Sequence, residues 1–108
     1  MQNQPTKKQL ARIPRLYETE PIQMKDKFIY LHFIFPKCDW YMSEFDGDDT
    51  FFGFVILNDD LEMAEWGYIS FEFLKAVNVY GHEVEVDPNW VIRRAGEIDR
   101  ICEARGWN

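Results

Sequence analysis

The stretch Trp40-Tyr41-Met42-Ser43-Glu44-Phe45, then Asp46-Gly47-Asp48-Asp49, then Thr50-Phe51-Phe52-Gly53-Phe54-Val55-Ile56-Leu57 decides the fold. Two runs rich in aromatic and aliphatic residues flank four turn-formers, which predicts an antiparallel hairpin with a loop of about four residues. A further strand signal precedes it, Phe28-Ile29-Tyr30-Leu31-His32-Phe33-Ile34-Phe35, ended by Pro36. Side chains alternate along a strand, so Phe28, Tyr30, His32 and Ile34 share one face and Ile29, Leu31, Phe33 and Phe35 the other. Both faces are apolar apart from His32 and the Tyr30 hydroxyl, which places this strand at the centre of a sheet covered on both sides.

Working outward, Trp66–Ile69 reads as a short strand, and Ser70 as the cap of a short helix with Phe73, Leu74 and Val77 on its inner side. Glu83–Val86 reads as a brief edge strand whose acids discourage pairing with another molecule. Asp87 and Pro88 signal the start of a final helix and Gly106 its end, with Val91, Ala95, Ile98 and Cys102 at helical spacing. The fold expected is α+β: a single antiparallel β-sheet with a short helix and a C-terminal amphipathic helix packed on it. Residues 14–108 form one domain in this reading. Residues 1–13, polar and basic without an apolar period, are expected to be a flexible tail.

With 108 residues, 46% of them hydrophobic, the chain suffices for one core. Its formal net charge of −7 is unevenly spread. Residues 1–37 carry seven basic and three acidic side chains, residues 38–87 one and thirteen, and residues 88–108 four and three. An acidic middle repels phosphate, which disfavours direct nucleic-acid binding by the main body. No window approaches the ~18 consecutive apolar residues of a membrane span, and Met1–Leu10 is polar where a secretory signal is apolar. A cytoplasmic protein without a membrane segment is expected. Cys38 and Cys102 lack a CxxC spacing and read as free, buried thiols.

Chemistry-bearing motifs are sparse. His32 and His82 are the only histidines and have no metal-ligand spacing, so no metal site is expected. Asp46, Asp48 and Thr50 alternate like the start of a calcium loop, but Phe51 and Leu57 stand where that loop needs Gly and Glu. The six glycines are scattered singly, which gives no phosphate-cradling loop, and no cofactor is expected. Two candidate surfaces remain. One is an aromatic and carboxylate pocket gathering Tyr17, Glu18, His32, Trp40, Tyr41, Glu44 and Tyr68. The other is an acidic face made of Asp46, Asp48, Asp49, Asp59, Asp60, Glu62 and Glu65.

Leu16-Tyr17-Glu18-Thr19-Glu20, His32-Phe33 leading to Pro36, the Trp40–Gly53 hairpin and Trp66-Gly67-Tyr68-Ile69-Ser70 together carry a resemblance. Over about residues 14–87 the chain resembles a bacterial domain-of-unknown-function family of small proteins found on plasmids, phages and integrative mobile elements. The agreement fades after Gly81, where Val84-Glu85-Val86-Asp87 replaces the family's usual Ile-Glu-Arg-Asp. The resemblance implies a fold and a mobile-element setting, and no catalytic residue.

Three functional readings stay open on the sequence. The first is a non-enzymatic accessory factor that binds a protein with a basic surface; in its sharper form the acids mimic nucleic acid and inhibit a host defence complex. The second is a small-ligand-binding or enzymatic domain built around His32, Trp40 and Glu44. The third is nucleic-acid binding by the tail and final helix through Lys7, Lys8, Arg12, Arg93, Arg94 and Arg100. The sequence leaves the oligomeric state open.

Overall fold

The expected hairpin closes through Asp46, whose Oδ1 accepts the N–H groups of Asp48, Asp49 and Thr50 at 2.8, 2.9 and 3.1 Å. Around it, a computed structural model describes residues 1–107. In chain order the elements are α1 (Lys7–Arg12), a 3-10 turn (Met24–Asp26), β1 (Phe28–Ile29), β2 (Leu31–Phe35), β3 (Cys38–Phe45), β4 (Thr50–Ile56) and β5 (Glu65–Ser70). There follow α2 (Phe71–Ala76), β6 (Asn78–Val79), β7 (His82–Glu83), β8 (Glu85–Val86), β9 (Arg93–Arg94), a second 3-10 turn (Ala95–Glu97) and α3 (Asp99–Arg105). Five strands make the main sheet in the order β5-β4-β3-β2-β8, antiparallel throughout, and β1–β9 and β6–β7 form two small ribbons beside it. The fold is α+β.

Both faces of the sheet are covered. On one, Leu31, Phe33, Trp40, Met42, Phe45 and Phe51 pack with Ile13, Phe71, Leu74 and Val84. On the other, Tyr41, Phe54 and Ile56 pack with Ile29, Ala64, Ala95, Ile98 and Ile101. A bulge assigns the end of β3 to these faces: Met42 pairs with Gly53 but Glu44 with Phe52, leaving Ser43 surplus. Strict alternation would turn Glu44 toward the first core and Phe45 away from it. With the extra residue, Phe45 joins the first core beside Phe51, ring centroids 4.3 Å apart, and Glu44 moves to the second face. Gly53, opposite the bulge, admits no side chain, because a Cβ there would lie 2.1 Å from the Tyr41 carbonyl oxygen.

Four expectations are corrected. The strand expected at 28–35 breaks at Tyr30, whose N–H donates to the Met42 carbonyl, and its first two residues leave the sheet to pair with β9. The final helix starts at Asp99, not beside Pro88. Asp87 instead accepts the Asn89 N–H in a turn, and Arg93–Arg94 is extended; the Gly106 terminus, at φ +70°, is as expected. In α2, Ser70 caps the helix as expected, but the inward residues are Phe71 and Leu74, while Phe73 is 62% exposed. The free thiols of Cys38 and Cys102 are half-buried instead of buried.

Residues 1–13 do not form the unstructured tail that their composition suggests. Thr6 and Gln9 cap α1 reciprocally, and Ile13 is buried in the first core. The preceding residues lie along β8: the Val86 N–H donates to the Asn3 carbonyl at 3.0 Å, and the Asn3 N–H donates to Glu85 Oε2 at 2.6 Å. The Met1 ammonium lies 2.6 Å from Glu83 Oε1.

Candidate functional site

The seven residues of the candidate pocket fall into three places. Trp40 is in the first core, between Phe33 and Val55. His32 and Tyr41 pair across β2 and β3 on the second face. Tyr17, Glu44 and Tyr68 gather on the same face at the far end of the sheet, lining a recess of about 250 Å³ with Phe52, Met24 and Lys27. Glu18 stands beside that recess and accepts the Arg15 N–H at 2.9 Å.

Glu44 anchors the third group. Its carboxylate, 4% exposed, accepts the Tyr17 N–H at 2.9 Å, the Thr19 N–H at 3.2 Å and the Thr19 hydroxyl. Lys27, 3% exposed, lies 3.8 Å from the same carboxylate and donates to the Thr19 carbonyl and hydroxyl at 2.5 and 2.7 Å. Every polar atom of this pair is thus used to fix the 17–19 turn. Tyr17 is held at φ +71°, a left-handed conformation costing a side-chain-bearing residue about 1–2 kcal/mol. The anchor thereby presents Tyr17, 62% exposed, beside Tyr68, 57% exposed, with ring centroids 6.5 Å apart. A hydrogen bond with the Tyr17 side chain pushes the Tyr68 phenol up.

The His32 cluster is a staple. Nε2 lies 2.7 Å from Asp39 Oδ1 and Nδ1 3.0 Å from Asp87 Oδ2, while the ring stacks on Tyr41 at 4.5 Å. Ionised carboxylates only accept, so both contacts are hydrogen bonds at once only when both ring nitrogens carry protons. Neither nitrogen is left to activate a nucleophile. Burial would raise the Asp39 carboxyl, but the hydrogen bond and charge of His32, with Arg100 at 3.3 Å, hold it below the usual carboxylate range. Burial, reinforced by the Asp39 charge, pushes the Tyr41 phenol up to about 12. The Asp87 N–H also donates to the His32 carbonyl at 2.8 Å, so this cluster ties the chain leaving β8 to β2.

The candidate acids do not share one face. Asp46, Asp48 and Asp49 sit at the β3–β4 turn, and Asp59, Asp60 and Glu62 beyond the opposite end of β4, roughly 20 Å away at ~3.3 Å per residue. Several are already engaged. Backbone N–H groups, that of Asp48 first, hold Asp46 below the usual range, and Ser70 Oγ does the same for Asp49. Asp59 accepts from Arg100 at 2.7 Å. Among the described residues no group of three or more His, Cys, Asp or Glu is placed to hold a metal ion, and no helix is long and apolar enough to cross a membrane.

The feature that motif reading misses is an edge. Among the described residues nothing pairs with the outer side of β5. This six-residue strand carries a single charge, Glu65, and no proline. On the first face it borders a groove of about 460 Å³ lined by Val55, Leu57, Met63, Ile69, Asp60 and Glu65. On the second it borders the Tyr17–Tyr68 recess. The signal available in sequence was the absence of edge protection in Trp66-Gly67-Tyr68-Ile69. Compared with family models, curated proteins and solved structures, the chain shows no significant match.

Proposed function

We propose that this is a non-enzymatic domain that binds another protein through the rim of β5. The observation that carries the reading is the unpaired β5 edge with Tyr17 and Tyr68 exposed beside it, since natural sheets ordinarily protect an edge of this length. Two further observations support binding over catalysis. The expected pocket is divided between the faces of the sheet, and its acid and imidazole groups, Glu18, Glu44 and His32, are engaged in internal hydrogen bonds. The division of the acids between the ends of β4 favours a local basic segment over a continuous nucleic-acid-mimicking face. A cytoplasmic setting and an accessory role for a mobile element belong to the same proposal and rest on composition and the family resemblance.

A photo-reactive residue placed at Tyr68, with one at the fully exposed Tyr80 as control, tests the reading in host cells. A single protein cross-linked from position 68 and not from position 80 is the expected result. The same background from both positions, or none from either, overturns it.

A further inference from the structure

We propose that β5 is a docking strand for an extended segment of the partner in which basic residues alternate with apolar ones. This rests on the protein-binding reading above and names the chemistry of what is bound. A six-residue edge offers about six outward backbone N–H and C=O groups, because alternate residues of a strand bond to opposite neighbours. β4 uses one side of β5, with pairing from Thr50–Ser70 to Val55–Glu65, and the other side is free. A strand added there extends the main sheet and satisfies these groups.

The flanking surfaces specify the side chains. Successive residues of an added strand point to opposite faces. On the first face they meet the groove whose lining combines apolar Val55, Leu57 and Ile69 with the acids Asp60 and Glu65. A lysine or arginine suits it: the aliphatic stem packs on the apolar lining and the charged head reaches the carboxylates. On the second face they meet Tyr17, Phe52 and Tyr68, an aromatic wall that suits an apolar side chain. Gly67, at the middle of β5, has open space where a Cβ would stand and leaves the backbone accessible. The charge asymmetry seen in sequence thus acts locally, on one parity of the incoming strand.

The test uses the full chain and a small library of fluorescein-labelled nine-residue peptides alternating Arg or Lys with Leu, Val or Phe, titrated by anisotropy. Saturable binding that weakens several-fold as salt is raised is expected. Peptides N-methylated at one parity, blocking the N–H groups that face β5, lose at least tenfold in affinity, and those methylated at the other parity do not. Replacing the basic residues by Glu costs at least tenfold, and the surface substitution Glu65→Lys about fivefold. Equal binding of both N-methylated series, or no binding by any library member, overturns edge docking. If position 68 still captures a protein in that case, the protein-binding reading stands without it. A dimer in sedimentation that Glu65→Lys dissolves makes a second copy the occupant and also overturns the proposal.

Discussion

The two edges of one sheet are finished in opposite ways. At β8 the edge is two residues long, carries Glu85, is paired with the Asn3 backbone and is stapled to β2 by His32 and Asp87. At β5 the edge is six residues long, nearly uncharged and unpaired, with apolar surface on both sides. An unpaired edge is a template for foreign strands, so chains close edges that have no use. Here the chain spends its first residues and a buried histidine cluster on closing one edge. At the other it spends a buried Lys–Glu pair on building a wall beside an edge left open.

Removing that wall gives the largest expected effect. Lys27→Met leaves Glu44 buried without its cation and Thr19 without a donor, and should cost about 3–5 kcal/mol in urea unfolding. Capture from position 68 should fall with it, and a wild-type midpoint would break the link between the pair and the open edge.

At the closed edge the next effect is alkaline. The Tyr41 phenol is raised above its unfolded value, so its contribution is complete below about pH 10 and is lost as pH rises toward 12. The stability lost over that window is about 2–3 kcal/mol, and Tyr41→Phe should flatten the slope. Asp39 has the opposite sign: its carboxyl is held low, so its contribution is present above the ordinary carboxylate range and is lost as pH falls through the lowered value. Asp39→Asn should therefore reduce the acid slope; an unchanged profile would show that the cluster is not the staple of β8.

Deleting residues 1–4 removes the Asn3 pairing and the Met1–Glu83 contact and should cost about 1–2 kcal/mol. It also makes β8 a second open edge, so concentration-dependent association should appear in sedimentation. The smallest effect is that of Glu65→Lys, an exposed change expected to stay within about 0.5 kcal/mol while weakening peptide binding. Together these two variants separate edges that matter for stability from the edge that matters for binding.

Local chemistry made part of this legible in the sequence. Asp46 and its turn, the Pro36 stop, the Ser70 cap and the Gly106 terminus depend on neighbours in the chain, and each was readable there. The candidate site depended on distant geometry. One surplus residue at Ser43 decides which face receives Glu44, and the break at Tyr30 sends β1 to pair with residues more than sixty positions away. Asp87 reads as a helix cap because its use by His32, 55 positions away, depends on where β8 lies. The first thirteen residues looked like a tail because their partners, Glu83, Glu85 and Val86, lie more than seventy positions on.

Amide hydrogen exchange tests the contrast between the edges most directly, read residue by residue for the free protein and for the protein saturated with a basic and apolar alternating peptide. The Val86 amide is expected to be protected in both states, while alternate amides of Glu65–Ser70 exchange quickly in the free protein and slow at least tenfold with peptide. Uniform protection along β5 in the free protein, or no change at saturating peptide, would contradict that contrast.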